Sequence, residues 1–311
     1  MYPQQLPTDT RIARALSSFL GLDLIHVRSE PQVSDLPGAV LKVSALDSDR
    51  HEHPLILKRS SDDRDYRLYT HYLEPYRLNS PRVYGHIEID GQGFMVMDYI
   101  RHLPPEWGDR GRFLEAVRWL IKKDLVTSQN LSSIRSLDCL GEVQWFGVDY
   151  WLPIFERWYK GSNHDHQSEQ VWSIVHRNRT RVAEYIDDLN ESGPLTVVHG
   201  NFGMGNILFG DGEYKKMLYV IDWSEPHIAS VTHDLAHLYD DAPADVKGEL
   251  ITTYREHIDV LRFDDLFGEA RVLRDMGYLA WMVGKINEGD RQEDYQDELD
   301  RVATSLIASL S

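Results

Sequence analysis

Residues 195–238 read LTVVHGNFGMGNILFGDGEYKKMLYVIDWSEPHIASVTHDLAHL. Within this stretch stands His199-x-Asn201-x-x-x-x-Asn206, then two short apolar runs flanking Gly210-Asp211-Gly212, then Ile221-Asp222. The spacing predicts a loop leaving one strand, with Asn206 entering a second strand and Asp222 closing a third. A hairpin between the last two folds Asn206 and Asp222 back beside each other. An amide oxygen and a carboxylate so placed suit Mg²⁺, a hard cation that takes oxygen ligands at short distance. A loop facing an acceptor hydroxyl, followed by two such ligands, is the order a phosphoryl-transfer site requires.

The glycines invite another reading. Gly200-x-x-Gly203-x-Gly205 follows an apolar run, with Asp222 some way downstream. A dinucleotide-binding unit needs a helix opening directly after its glycines. Here Asn206 is followed by ILFGDGEYKKMLYVID, a hairpin pattern with no room for that helix.

Working outward, the chain up to Tyr99 reads as strands around one helix. Residues 9–21 form a short amphipathic helix pattern, with Asp9 or Thr10 as cap and Gly21 as stop. LIHVRSE, AVLKVSAL and PLILKRS read as strands between 24 and 60. Residues 62–74 place Tyr66, Tyr69 and Leu73 at helical spacing. PRVYGHIEI and GFMVMDYI follow, joined through Asp90-Gly91, a strong hairpin signal. Beyond the Pro-containing connection at 101–106, helical patterns dominate, at 111–128, 168–190, 245–259, 264–287 and 292–310. The strands expected there are TVVHG, NILFG and MLYVID. Strands first and helices later point to an α+β protein, not to a doubly wound sheet.

Composition narrows the partners. The 311 residues are 42% hydrophobic and 27% charged, as in folded rather than disordered chains. Fifty Asp and Glu against 33 Lys and Arg give a formal charge of −17, which disfavours nucleic acid and anionic membranes as partners. Cys139 is the single cysteine, so an intrachain disulfide is impossible. With neither a signal-peptide pattern nor an 18-residue apolar run, a cytoplasmic location is the expectation. No Gly-x-Ser-x-Gly elbow or cysteine pair supports acyl-hydrolase or zinc chemistry. His51-Glu52-His53 and His164-Asp165-His166 read as solvated loops. The aromatic run Trp145-Phe146, Tyr150-Trp151, Phe155, Trp158-Tyr159 reads as core, with the wall of an acceptor pocket as the alternative.

The set His199-Gly200, Asn206, Ile221-Asp222-Trp223 and Asp234-Leu235-Ala236 resembles the aminoglycoside phosphotransferase family, a protein-kinase-like group that includes choline and homoserine kinases. The resemblance implies a two-lobed fold, with a small antiparallel N-lobe over 1–99 that binds nucleotide. It implies a mainly helical C-lobe over 100–311 with the catalytic loop and acceptor site. It implies ATP or GTP as donor, Mg²⁺ on Asn206 and Asp222, and a small-molecule hydroxyl acceptor, for which a cation is one option. The protein would be a monomer or a homodimer. Lys58, at the end of Leu55-Ile-Leu-Lys58, would contact the α- and β-phosphates, steadied by Asp65, with Asp62 and Asp63 as substitutes. Met97, Asp98 and Tyr99 would hold the base through backbone groups. His199 and Asp234 would brace the loop from inside.

Three departures stand out. Asn201 occupies the position of the catalytic aspartate and cannot act as a carboxylate base. Ser34–Gly38 is a glycine-poor candidate for the phosphate-covering turn, and Ala229–His233 replaces the usual Gly-Asp-Pro. An amide can still orient the acceptor hydroxyl, and loss of general-base help is worth about 10²–10⁴-fold, so slow transfer is expected. Glu225 and His227 are substitute bases by position. The alternative is a catalytically silent pseudokinase that binds a nucleotide or small ligand for regulation.

Overall fold

The computed structural model describes residues 6–32, 39–60, 63–104, 107–140, 147–162, 166–214, 217–223, 226–289 and 295–310. The Ser34–Gly38 turn, Asp62, Trp145-Phe146, His164-Asp165 and Glu225 lie outside them. The chain is α+β and divides into two compact units. The first comprises Met1–Pro105, Leu137–Cys139 and Gly205–Ser224; the second comprises Glu106–Ser136, Leu140–Met204 and Glu225–Ser311.

The first unit is built on an antiparallel sheet of β1 (Leu24–Pro31), β2 (Val40–Asp47), β3 (Glu52–Arg59), β4 (Val83–Ile89) and β5 (Gln92–Asp98), in the order β1-β2-β3-β5-β4. Alternation sorts its side chains. Leu41, Val43, Leu55, Leu57, Phe94 and Val96 are buried on one face, where they pack with Ile12 and Leu16 of α1 (Asp9–Leu20). Lys58 therefore points to the opposite face. Asp90 and Gly91 both have positive φ, 55° and 74°, as the turn joining β4 to β5 requires. Gly21, at φ 68°, ends α1 with its N–H on Ser17 O at 3.0 Å.

After β3 the chain forms α2 (Arg64–Leu68), then widens into a π turn over Tyr69–Leu73. The expected single helix over 62–74 is thus shorter and mixed. A hairpin of β7 (Ile207–Phe209) and β8 (Leu218–Val220) completes the unit. Its loop is wider than a tight turn around Gly210-Asp211-Gly212, because Gly212–Tyr214 forms a turn of 3₁₀ helix.

The second unit is mostly helical: α3 (Arg110–Gln129), α4 (Leu131–Ile134), α5 (Val148–Gly161), α6 (His166–Glu191), α7 (Thr232–Asp241), α8 (Ala244–Arg255), α9 (Phe263–Glu288) and α10 (Gln296–Leu310). Asp109 caps α3 by accepting the N–H groups of Gly111 and Arg112 at 2.8 and 3.3 Å. The sequence reading did not mark α5 and α7. The first carries Pro153 and a dense aromatic run; the second is polar and short. It also passed over β9 (His227–Ser230), which pairs antiparallel with β6 (Leu195–Val198). Trp151, Phe155 and Trp158 are buried at 0–3% exposure, so these three are core. Among the described residues no helix is long and apolar enough to cross a membrane.

Candidate active site

In the first unit, strand alternation delivers Lys58 to the face away from α1. Its Nζ lies 2.7 Å from Asp222 Oδ1 and 3.3 Å from Asp65 Oδ2. Asp65 comes from α2, Asp222 from the residues following β8. Burial alone would lower the Lys58 pKa, but the two carboxylates more than offset this and raise it, so the ammonium stays charged. Asp222 has φ 60°, a left-handed conformation open to an aspartate more readily than to most residues. Ile221 N–H donates to Asn206 O at 3.0 Å, which fixes the ends of β7 and β8 side by side. The hairpin thus brings the backbones of the two expected oxygen donors together.

Tyr69, noticed in the sequence only as part of a helical pattern, is also here. It is 3% exposed and lies close to Lys58, Asp65 and Asp222. Burial pushes its phenol pKa up, so the ring stays neutral.

Met97 and Asp98 end β5, and Tyr99 follows. Met97 is buried; Asp98 N–H donates to Arg82 O at 2.9 Å and Tyr99 N–H to Pro54 O at 3.1 Å. These two N–H groups are committed within the unit. Asp98 Oδ1 accepts from Tyr84 OH at 2.7 Å, and Lys42 Nζ sits 4.1 Å from the centre of the Tyr99 ring.

In the second unit the loop after β6 is held against α7. The buried Asp234 carboxylate accepts His199 N–H at 3.0 and 2.8 Å and Gly200 N–H at 3.1 Å. Gly200 has φ 85°, a turn that a side chain would strain. Phe202 is fully buried, stacked on Trp119 with centroids 5.4 Å apart. Asn201 between them is exposed. Its N–H donates to His199 Nδ1 at 3.2 Å, and its carbonyl accepts Gly203 N–H at 2.9 Å. The amide side chain is therefore carried on a loop pinned on either side of it.

Two further groups hold this loop, and neither stood out in the sequence. Asp241, two turns after Asp234 on α7, accepts Met204 N–H at 2.7 Å. A Cβ at Gly203 would come within 2.7 Å of its Oδ2, so a side chain there would displace the carboxylate. Lys123 of α3 is fully buried and spends its ammonium on Val197 O at 2.8 Å, Asp234 Oδ2 at 2.7 Å and Asp124 Oδ1 at 2.9 Å. Burial works to raise the Asp234 pKa, but Lys123 and the neighbouring histidines hold it well below the ordinary carboxylate range. Asp124 is the one that burial wins, pushed up to about 6 despite Lys123 and the Tyr254 hydroxyl at 2.6 Å. A helical lysine between polar neighbours reads as solvated; only its packing shows otherwise.

His227 packs its ring 5.2 Å from His233, which lies 5.5 Å from His237. It is 9% exposed, a placement within the interior rather than at a solvated loop. Burial holds His233 well below its ordinary pKa and His237 down to about 3. Among the described residues no three His, Cys, Asp or Glu side chains group to hold a metal ion by themselves.

The first unit carries a lysine–carboxylate cluster on its sheet face and the second a braced His-Gly-Asn loop, within a kinase-like, two-lobed α+β fold. Residues 43–273 match the phosphotransferase enzyme family (APH), and the chain belongs to it. A comparison with curated proteins found no match. Among solved structures, choline kinase LicA from Streptococcus pneumoniae superposes with a TM-score of 0.67 at 17% identity, covering 96% of this chain and 98% of that one. Spectinomycin phosphotransferase APH(9)-Ia, in complex with ADP and spectinomycin, gives 0.60 at 13% identity, over 98% and 99% of the two chains. Aminoglycoside phosphotransferase APH(4)-Ia, a thermostable mutant with ADP and hygromycin B, gives 0.58 at 13%, over 94% and 96%. At these identities the likeness speaks for the fold.

Proposed function

We propose that this protein transfers the γ-phosphate of a nucleoside triphosphate to a hydroxyl of a small molecule. The observation that carries the reading is the ion pair of Lys58 with Asp222 at 2.7 Å, with Asp65 behind it at 3.3 Å. An ammonium held this way exchanges a carboxylate oxygen for a phosphate oxygen with little rearrangement. Asn206 and Asp222 would hold Mg²⁺, and the donor set fits: one carboxylate, one amide and, among the described residues, no closed cage of protein ligands, so phosphate oxygens and water would complete the shell. When bound, the ion neutralises charge on the phosphates. Lys58 binds and orients the phosphate chain. Met97, Asp98 and Tyr99 would contact the base, Asp98 and Tyr99 through their carbonyls, since their N–H groups are spent.

Asn201 orients the acceptor hydroxyl, while Asp234 and His199 fix the loop that carries it. The hydroxyl oxygen bonds to the γ-phosphorus as the bond to the β–γ bridging oxygen breaks, and the nucleoside diphosphate leaves. The proton passes to solvent or to the transferred phosphoryl group, because an amide accepts a hydrogen bond but not a proton at neutral pH. A loose transition state tolerates this, since proton transfer lags bond breaking. The acceptor remains open, a cationic molecule among the options, as does the choice of ATP or GTP. We place the activity in the cytoplasm, with the protein as a monomer or homodimer.

The second reading is a pseudokinase, and Asn201 itself favours it. The experiment is ATP and GTP consumption with Mg²⁺ across a panel of hydroxylated metabolites and antibiotics. Turnover by the wild type that Asp222→Ala abolishes supports the transferase. Nucleotide binding without turnover, with hydrolysis gained on Asn201→Asp, supports the pseudokinase. Absence of any nucleotide-dependent thermal shift defeats both.

A further inference from the structure

Lys42 is a second lysine on the sheet face that carries Lys58. In β2 the buried Leu41 and Val43 turn towards α1, so Lys42 between them turns the other way. Register sets Lys42 opposite Ile56 of β3, and Ile56 opposite Met97 of β5. Lys58 stands in the neighbouring row, between Val40 and Met95. Lys42 thus shares a row with Met97, the first of the three residues read as holding the base. Its ammonium lies 4.1 Å from the centre of the ring of the third, Tyr99. Both side chains are half-buried. Among the described residues no carboxylate pairs with this ammonium: Glu30, its neighbour across β1, is 3.0 Å from Arg28 instead. A cation resting on a ring face at a wet boundary is held weakly and is free to move to an oxygen.

The backbone beside it offers acceptors. Asp98 and Tyr99 spend their N–H groups on Arg82 O and Pro54 O. Residues opposed in this way in an antiparallel ladder normally exchange two bonds, but Pro54 has no N–H and returns none to Tyr99 O. The end of β5 therefore presents a carbonyl acceptor next to one mobile donor, Lys42. An ammonium only donates. Guanine turns two adjacent acceptors, O6 and N7, to such a group; adenine turns N7 alone, with its N6 amino donor beside it. We propose that Lys42 is a specificity-determining residue for the base of the phosphate donor: its ammonium leaves the Tyr99 ring for O6 and N7 of a guanine, so that GTP is preferred to ATP. Tyr99 O is then the acceptor for the guanine N1–H. The inference rests on the reading of Met97, Asp98 and Tyr99 as the base site of a phosphotransferase.

Calorimetric titration with non-hydrolysable GTP and ATP analogues and Mg²⁺ tests this without an acceptor. The wild type should bind the guanine analogue about tenfold more tightly than the adenine analogue, the lower end of what a lysine on O6 and N7 is worth. An inosine analogue, which keeps O6 and N7 and lacks the 2-amino group, should follow guanine. Lys42→Met keeps the apolar stem and removes the donors. It should weaken the guanine analogue about tenfold and change the adenine analogue by less than about twofold. Lys42→Arg, which restores donors at the same place, should retain the guanine preference. Adenine bound as tightly as guanine by the wild type overturns the inference, and so does a guanine preference that survives Lys42→Met or is absent for inosine. In each of those outcomes nucleotide still binds, and the phosphotransferase reading stands. A wild type that binds none of the three analogues defeats that reading, and this inference with it.

Discussion

Lys58 and Lys123 are each held between two carboxylates, yet the two clusters are built for opposite purposes. Lys123, Asp124 and Asp234 have side chains 0–1% exposed, and the Lys123 ammonium is shared among those carboxylates and a backbone carbonyl. Lys58, Asp65 and Asp222 contain the same groups but remain 19–48% open to solvent. A charge sealed from water has no alternative partner, so its contacts are permanent. A charge at a wet boundary trades one oxygen for another at little cost. The buried triad fixes a loop; the open one, in the function proposed above, would exchange a carboxylate for a phosphate.

The sharpest way to break this contrast is Lys123→Met. It strands two buried carboxylates and should lower unfolding free energy by about 3–5 kcal/mol, read from urea denaturation. Lys58→Ala should do the reverse in kind. Stability should change by less than about 1 kcal/mol, while turnover with the best acceptor found falls by about 10²–10³, the scale of losing one charge-stabilising donor. Equal destabilisation by the two substitutions would erase the distinction.

Acid sharpens the contrast in the second unit. His233 and His237 have folded pKa values depressed below 6.5, so the unfolded chain binds more protons and stability falls as pH drops from 6.5 towards about 3. Each such group contributes about 1.4 kcal/mol per pH unit in that window. Asp124 acts against them: its folded value of about 6 lies above the ordinary 3.8, so between those values acidification favours the folded form. Asp234, held low, adds its own loss below 3.8. Glu269, raised to about 7 from 4.5, acts as Asp124 does, so between pH 6 and 4.5 the two carboxyls largely offset the two histidines, and His237→Gln should shift the slope by about 1.4 kcal/mol per unit towards greater stability in acid, read from urea midpoints.

A smaller effect is expected at Gly203→Ala, whose Cβ would meet Asp241 Oδ2 at 2.7 Å and push it off the Met204 N–H. The cost should be about 1 kcal/mol by thermal melting. Gly205→Ala, with nothing within 4 Å, should be nearly neutral.

Much of this was readable in one dimension. Alternation in residues 40–59 gave the strands, with Lys58 at the end of one of them, and Asp90-Gly91 gave the hairpin. The spacing from His199 to Asp234 drew the family resemblance, and family membership follows from the match over 43–273. Other features were hidden for identifiable reasons. β9 is four residues long and exists only because β6 lies alongside it. α7 reads as polar, since Asp234 and Asp241 face inward to serve backbone N–H groups. Tyr69 looked like one more apolar position on a helix, because nothing local marks where an α-helix will open into a π turn.

The order of residues alone determined the strands, most of the long helices and the sequence of chemical groups, because these depend on periodicity and on near neighbours. Tertiary structure decided which lysine is sealed and which is open, since the Lys58–Asp222 and Lys123–Asp234 pairs each join residues more than a hundred positions apart. It also placed Tyr69 beside Lys58 and Asp222, and Asp241 on the Met204 N–H. Solvent exclusion sets the strength of a charge and the permanence of its partners, and exclusion comes from the packed chain rather than from any segment of it.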